Sequence, residues 1–442
     1  MKISKINLML IAFVMLFGVV VSCKDDDKNN PDDPNSYRLE NEAAIDKASI
    51  AKKQEISVNR PENYESFVKK IQQFSNKLSV EIGMKGTDNT AVSPLSVFMA
   101  LSLATECADS DTRQELLDVV GITYQELSEN ISYLCQSCNR ILDHDPERNP
   151  NNVIKSVNSI WIKDGYQVKD ECINILTSKY FSDVLGMNFS ETDVNKLITS
   201  YIKNETKGFL APNLDINSET VFVLLNVVYL KEVWDYFGED LSFTKEKYDF
   251  INYDKSTTST KLLMGDYCMG KAVVTEKFRR ARVYTNSSFS ITFYVPNDGY
   301  TLDDIFTEET FAYKAKKIYS DDKYEYHTRC LFPEYKASYD ADIKSFLQDL
   351  GIKKIFTSGC DFSKLTDEKV FCGKVKHVTK LEVSKSGIEG AAVTAFEMDA
   401  TSAGPGQLEV VYEDFVVDRS FIYVLSDSEG VPVFTGVVKS IK

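Results

Sequence analysis

The chain has 442 residues, of which 43% are hydrophobic and 12% aromatic, enough to bury a large core. Its net charge of −15 at pH 7 argues against a nucleic-acid-binding protein, because such proteins present a basic surface to the phosphates. The length alone permits two or three domains, but a large mixed fold also reaches this size as one domain.

Residues 1–22 have the pattern of an export signal. Lys2 and Lys5 precede an almost wholly apolar run, as in a secretory signal peptide. The run ends in VVS before Cys23, and this ending resembles the lipobox of bacterial lipoproteins, in which the cysteine is acylated and becomes the first mature residue. A plain secretory signal or an N-terminal membrane anchor is the alternative. The resemblance implies a lipid anchor on Cys23 in the outer membrane of a bacterial cell envelope, facing the surface or the extracellular space.

Residues 23–60 are polar and rich in Asn, Asp and Lys, which predicts a flexible tether with too little apolar surface to fold. The folded domain is predicted to span residues 61–442, without internal repeats. Its first element is an amphipathic helix, because apolar residues recur every three or four positions from Phe67 to Ile82.

A buried helix is predicted to begin after Ser93. Ser93 is a good N-cap, Pro94 suits the first helical position, and the residues that follow are apolar on nearly all sides. The apolar run 221–230 is interrupted only by Asn226, which is typical of a central strand covered on both faces.

The sequence predicts neither a metal site nor a cofactor. Cys135 and Cys138 form a CxxC pair, but they continue a helical apolar stripe that predicts a place in the core. A zinc site needs about four ligands, and no second CxxC or histidine pair accompanies this one.

An enzyme is not expected either. Only three histidines occur, and no GxSxG, HExxH, GxGxxG or P-loop spacing is present. His144 lies in a charged turn and is predicted to be solvated, whereas His377 follows an apolar strand and is predicted to be a satisfied core residue.

The segment from Glu382 to Arg419 combines two kinds of pattern. Counting by twos from Ile388 to Ala400 gives one uncharged face, while the opposite face holds every charge, as in a half-buried strand. Residues 404–406, Gly-Pro-Gly, indicate a turn. The pattern alone favours an ordinary hairpin strand followed by a long turn.

The same segment resembles the hinge and reactive loop of the serpins. The resemblance rests on EVSKSGIEGAAVTA at 382–395, followed by DRSFIYVL and PVFTGVV. Further serpin-like segments occur in the family's order, namely SPLS at 93–96, YIKNETKGF at 201–209, NVVYLKEVW at 226–234 and LFPEYK at 331–336. The resemblance extends from about residue 65 to the C-terminus. It implies an α+β serpin fold, with mixed helices around three largely antiparallel β-sheets and an exposed reactive loop.

The resemblance implies a suicide-substrate inhibitor of proteases. A protease attacks the loop and forms an acyl-enzyme, and the freed loop then inserts into the main sheet as a new strand before deacylation. The implied reactive bond is Thr401–Ser402. The implied hinge consists of Gly387, Ile388, Glu389, Gly390, Ala391 and Ala392. The implied polar cluster beneath the opening strands consists of Ser93, Ser96, Asn226 and His377.

Two residue types depart from the family's usual hinge. Lys385-Ser386 replaces an acidic pair, and Ile388 stands where Thr or Ser is usual. Isoleucine suits a strand but is bulkier, so it is expected to slow insertion without preventing it.

The loop predicts the class of target protease. No Lys or Arg lies between Lys385 and Arg419, so a trypsin-like pocket would leave its buried carboxylate unpaired. Small residues at 400–403 suit an elastase-like serine protease, whereas Phe396 and Met398 suit chymotrypsin-like or cysteine proteases.

The expected partners are a protease and, through the lipid on Cys23, a membrane. The protein itself is expected to be a monomer. The alternative is a non-inhibitory serpin-fold surface lipoprotein that acts as a binding or structural protein.

Overall fold

The structure is a computed structural model. It describes residues 39–142, 152–189, 194–217, 219–234, 240–314, 316, 318–321, 323–388 and 409–441, together with the backbone of 9–16. The helices are α1 (Glu42–Ala48), α2 (Tyr64–Gly83), α3 (Pro94–Cys107), α4 (Ser110–Val120), α5 (Tyr124–Ser137), α6 (Asp170–Lys179), α7 (Val194–Glu205), α8 (Leu302–Ile305), α9 (Glu308–Ala312) and α10 (Lys344–Asp349), with a 3-10 turn at Lys354–Phe356.

The strands of the first half are β1 (Met9–Leu16), β2 (Ser49–Ala51), β3 (Thr90–Val92), β4 (Asn139–Ile141), β5 (Val153–Lys163), β6 (Ser182–Met187), β7 (Thr220–Lys231), β8 (Tyr248–Ile251), β9 (Thr257–Thr260) and β10 (Leu263–Met269). Those of the second half are β11 (Val273–Val274), β12 (Phe278–Tyr284), β13 (Ser290–Pro296), β14 (Tyr324–Phe332), β15 (Tyr335–Asp342), β16 (Val370–Ser384), β17 (Gly387–Ile388), β18 (Glu409–Val416), β19 (Phe421–Ser426) and β20 (Pro432–Val438).

Three sheets form the body of the molecule. The main sheet is nine-stranded, with the order β15-β16-β1-β7-β5-β6-β2, while β17 pairs with β16 and β4 with β5. A six-stranded sheet has the order β11-β12-β13-β19-β20-β3, and a three-stranded sheet has the order β10-β14-β18. The predicted α+β architecture is confirmed, with a further two-stranded hairpin, β8-β9.

Helix α3 lies at the centre of the core, as its sequence predicts. The hydroxyl of Ser93 accepts a hydrogen bond from the backbone N–H of Ser96 at 3.2 Å and so caps the helix. Pro94 occupies the first turn, and every residue of the helix is buried. Strand β7 is also buried along nearly its whole length. Alternate residues of β7 belong to two different hydrophobic clusters, which confirms that both of its faces are covered.

The folded part of the chain begins earlier than the tether prediction implies. Within the segment 23–60, helix α1 packs beside α7, and β2 pairs with β6 at the edge of the main sheet. The side-chain amide of Asn204 also bonds to the backbone of Glu40 at 2.8 Å in both directions. Composition missed this because few apolar residues of the described part of this segment pack against the core, Ile45 and Ala48 in one hydrophobic cluster and Ala51 in another.

Strand β1 lies between β7 and β16 and runs parallel to both. We call the space between β7 and β16 the seam. The sequence analysis placed residues 1–22 outside the fold as a signal peptide, whereas in the full chain their apolar stretch occupies the seam. In this position the backbone of β1 pairs with β7 on one side and with β16 on the other.

The cysteine prediction is confirmed in the described part of the chain. Cys135 and Cys138 are both buried, and burial raises the pKa of Cys138 to about 12. Among the described residues, no group of three or more His, Cys, Asp or Glu side chains is arranged to hold a metal ion. None of the described helices is both long enough and apolar enough to span a membrane.

Candidate functional site at one end of the seam

The first two residues of the hinge already form part of the main sheet. After β16 ends at Ser384 the chain turns back, and Ile388 is registered against Val383. On its other side Ile388 exchanges two backbone hydrogen bonds with Glu232, at 2.8 and 3.0 Å. The side chain of Ile388 is 1% exposed. The hinge therefore enters the sheet between β16 and the residue that follows β7, at one end of the seam.

This entry requires a glycine at position 387. Gly387 has a φ of 136°, a backbone conformation that side chains disfavour. A Cβ at this position would lie 2.3 Å from the carbonyl oxygen of Glu232, which is too close for any contact. Gly387 thus allows the turn to approach the end of β7.

Contacts with three neighbouring residues help to hold the turn before the hinge. The Lys385 ammonium lies 2.5 Å from the carboxylate of Asp240 and thereby lowers the pKa of that carboxyl group. The backbone N–H of Lys385 donates to Glu334 at 2.8 Å, and the indole N–H of Trp234 donates to the carbonyl of Ser384 at 2.7 Å. Lysine in place of an acidic residue is therefore accommodated by a carboxylate partner.

The four predicted polar residues meet beneath the seam, and all are fully buried. The Ser93 hydroxyl donates to the carbonyl of Val433 at 2.7 Å, and its backbone N–H donates to Nε2 of His377 at 3.3 Å. The Ser96 hydroxyl lies 3.5 Å from the carbonyl of Asn226. Asn226 and His377 are registered against the same residue of β1, so they lie at one level on the two sides of the seam.

Two further residues belong to this cluster. The amide nitrogen of Asn226 donates to the Ser156 hydroxyl at 3.0 Å and to the side-chain oxygen of Asn158 at 2.9 Å. Sequence analysis did not assign either residue, although polar residues two positions apart on one face of an apolar strand are a recognisable signal.

The sequence model of the family described as Serpin (serine protease inhibitor) matches residues 69–441. The match includes the hinge and all of the polar cluster. The chain belongs to the serpin family. By that description the family is one of protease inhibitors, so the general function of this serpin is protease inhibition.

Known proteins agree with this assignment. The serpin is 27% identical over 396 residues to Iripin-1 of Ixodes ricinus, covering 84% of this chain and 93% of the relative. The native-state structure of tengpin, a thermophilic serpin, matches with a TM-score of 0.71 and 21% identity, over 89% of this chain and 99% of tengpin. Human thyroxine-binding globulin in complex with thyroxine matches with a TM-score of 0.66 and 18% identity, over 86% of this chain and 99% of the globulin. The two structural matches show the fold.

His377 is neutral in the folded serpin. Burial lowers its pKa to about 3. Because Nε2 accepts the hydrogen bond from Ser93, the proton of the neutral ring sits on Nδ1. No described residue accepts a hydrogen bond from Nδ1. The sequence prediction of a buried histidine is confirmed, but the ring is only partly satisfied.

The stability of the serpin should therefore depend on pH through His377. Below the ordinary histidine pKa of 6.5, His377 is protonated in the unfolded chain but stays neutral in the folded chain. The free energy of unfolding therefore decreases as pH falls toward 3. The slope is about 1.4 kcal/mol per pH unit, or about 2 kcal/mol between pH 6.5 and 5. The free energies of unfolding of wild type and His377→Gln, measured with denaturant, should therefore approach each other by that amount between pH 6.5 and 5.

Wild type must be compared with His377→Gln because Asp427 changes the pH dependence of the free energy of unfolding in the opposite direction. Burial raises its pKa to about 6, so its contribution to stability is lost as pH rises from 3.8 to 6. A pH-independent difference between wild type and His377→Gln would show that the ring is not held neutral.

The remaining predicted site residues lie outside the described part of the chain. These are Glu389, Gly390, Ala391, Ala392, Thr401 and Ser402 of the loop, and Cys23 at the N-terminus.

Proposed function

We propose that this serpin traps its target protease as a monomer, by cleavage of the reactive loop and insertion of the loop into the seam. The observation that carries the proposal is the place of Ile388, which is already buried and paired between β16 and Glu232. Strand pairing has thus begun at the end of the seam from which the loop would enter. Insertion would extend this pairing along β7 and β16.

The register of the hinge supports Thr401–Ser402 as the reactive bond. Ile388 pairs antiparallel with Val383, so each further loop residue would face the preceding residue of β16. Continued in this way, Thr401 faces Val370, the first residue of that strand. Counted from the bridge between Ile388 and Glu232, Ala400 likewise faces Thr220, the first residue of β7. A loop cut after Thr401 is therefore just long enough to fill the seam.

The same register gives the polar cluster a role. Thr394 would come opposite His377, with its side chain on the same face of the sheet as that of Ile388. Its hydroxyl could then accept a hydrogen bond from Nδ1–H of His377, which has no acceptor among the described residues. Insertion would thus satisfy a buried donor for which the described residues offer no acceptor, which favours the inserted state.

The seam must be free for the loop to enter. In the full chain β1 occupies it, and a loop strand would run opposite in direction to β1. Cleavage before Cys23 would remove β1 together with the rest of residues 1–22. The predicted signal processing and the proposed loop insertion are therefore compatible.

We propose elastase-like serine proteases as the targets, with chymotrypsin-like or cysteine proteases acting at Phe396 or Met398. The support is the absence of Lys and Arg between Lys385 and Arg419 and the small residues at 400–403. Incubation of a chain that begins at Cys23 with a panel of proteases should give an SDS-stable complex with elastase and none with trypsin. Intact-mass analysis should place the cut between 396 and 403.

The outcomes separate the candidate functions. Rapid stoichiometric inhibition of trypsin, or an elastase cut outside 396–403, would contradict the proposed target class. Cleavage by every protease without any stable complex would instead favour a non-inhibitory serpin that acts as a surface binding protein. The observation that favours a non-inhibitory binding protein as the second candidate is the fold match to thyroxine-binding globulin, which holds thyroxine in its crystal structure.

We also propose that the serpin is a lipoprotein of the bacterial cell envelope. The support is the apolar run that ends in VVS before Cys23 and the polar segment after it. Several acyl chains anchor a protein stably, whereas one chain binds only marginally. Cys23→Ala should move nearly all of the protein from the membrane fraction to the soluble fraction or leave it unprocessed, while Ser22→Ala should not. Membrane fractionation of processed Cys23→Ala protein equal to wild type would rule out the lipid as the anchor.

A further inference from the structure

A cavity of about 590 Å³ lies between the three-stranded and six-stranded sheets, outside the seam. Residues 266–273 around β10 form one wall, and residues 280–282 and 284–286 of β12 and the turn after it form the other. Cavities of about 300–1,000 Å³ are typical of small-molecule sites in proteins. The size of this cavity therefore suits a small organic ligand.

The charged groups around the cavity are mostly positive. Lys271, Arg280 and Arg282 line it, against one carboxylate, Asp266. This excess stands out because the chain as a whole carries a net charge of −15. Within the described part of the protein, the ion pairs with carboxylates involve none of these three cations. Lys271 already lies over the ring of Tyr326, 3.7 Å from its centroid, and acts on the carboxylate of Asp321, so an anion in the cavity would chiefly supply a countercharge for Arg280 and Arg282.

Each of the two arginines is held by a hydrogen bond to the protein and still has N–H groups that can donate to a ligand. Nε of Arg282 donates to the Thr292 hydroxyl at 3.1 Å, and Nη1 of Arg280 donates to the carbonyl of Tyr313 at 3.0 Å. An arginine has five N–H donors in a rigid planar group. The remaining donors can therefore bind an acidic group by charge-assisted hydrogen bonds, which are stronger than those between neutral groups.

The rest of the wall is aromatic and apolar. Tyr267, Tyr284 and Tyr319 are 40–46% exposed, and Met269 is 59% exposed. Large side chains that gather around a cavity and remain in contact with water are typical of binding surfaces. They offer planar and flexible apolar contacts to the body of a ligand.

The end of the cavity near Trp234 holds an unused donor. Nδ2 of Asn286 is buried and has no acceptor among the described residues. The backbone N–H of Asn286 donates to the carbonyl of Val233 at 3.1 Å, which fixes the residue beside Trp234. Because buried amides are nearly always paired, this nitrogen indicates room for an acceptor atom of a ligand.

We propose that this cavity binds a small organic anion in which an aromatic or aliphatic body carries a carboxylate or sulfonate group. The acidic group contacts Arg280 and Arg282, and the body packs on the tyrosines and Trp234. This site is separate from the seam, and its occupancy is measured without a protease. Its failure would therefore leave the proposed inhibitory function untouched.

The probes are 8-anilinonaphthalene-1-sulfonate, whose fluorescence rises on transfer from water to an apolar site, and dodecanoate. The sulfonate should bind saturably with one site per chain, and dodecanoate should displace it while the neutral dodecan-1-ol should not. Trp234 provides a second signal in a Trp161→Phe background, because the chain has only two tryptophans. Dodecanoate should change the fluorescence of Trp234, which lines the cavity.

Charge-removing variants test the arginines. Arg280→Gln and Arg282→Gln should each weaken binding of both anions about tenfold, the loss expected for one charge-assisted hydrogen bond. Lys277→Gln is the matched control, because this exposed lysine before β12 carries the same charge and lies outside the cavity lining. Thermal unfolding of each variant verifies the fold.

Three results would overturn the proposal. They are non-saturable binding of the sulfonate, equal displacement by dodecanoate and dodecan-1-ol, and equal affinity of the arginine variants and Lys277→Gln. If one arginine variant does not fold, the other variant and the comparison of dodecanoate with dodecan-1-ol still test whether the cavity binds an anion.

Discussion

Cleavage of the reactive loop is expected to raise the melting temperature of a chain that begins at Cys23 by more than about 10 °C. Insertion adds a strand that bonds to β7 on one side and to β16 on the other. Each backbone hydrogen bond contributes about 1 kcal/mol net, and the inward side chains leave water at the same time. Calorimetry before and after a single elastase cut measures the shift.

The control for this shift is a cut that frees no loop. Proteolysis within residues 24–38, ahead of α1, should leave the melting temperature where it was, since the seam and the hinge are untouched. An unchanged melting temperature after loop cleavage would show that the loop does not insert. It would contradict the inhibitory mechanism as well.

Replacement of Ile388 by arginine should abolish trapping while the protease still cleaves the loop. The side chain at this position is 1% exposed in the sheet, and Glu232, to which Ile388 is bridged, is also fully buried. Burial of an arginine is costly even beside a carboxylate, because both ions lose their hydration, so the first inserting residue would be held out of the sheet. The measurement is the fraction of protease recovered in an SDS-stable complex, set against the fraction of loop cleaved.

Ile388→Thr is the matched control. Threonine is also β-branched, is smaller than isoleucine and is the residue common in the family at this position, so it should trap at least as fast as wild type. Complex formation by Ile388→Arg equal to that of Ile388→Thr would mean that position 388 stays outside the sheet during inhibition.

Elements whose signals are local could be predicted from the sequence. The N-cap at Ser93, the proline at the first position of α3 and the apolar run of β7 each follow from neighbours along the chain. The four polar residues beneath the seam were predicted from resemblance, and the structure brings them together. By contrast, α1 was missed because its stabilising partner, α7, lies more than a hundred residues away.

By itself, the sequence determined the family, the lack of basic residues in the loop and the alternation that makes one loop face uncharged. These are properties of residue type and order, which need no knowledge of the partners. Only the tertiary structure decided that Ile388 pairs with Glu232, that Asn226 bonds to Ser156 and Asn158, and that Lys271, Arg280 and Arg282 line one cavity. Each of these depends on contacts between strands distant in sequence, where register and facing side chains are set by packing of the whole sheet rather than by any local preference.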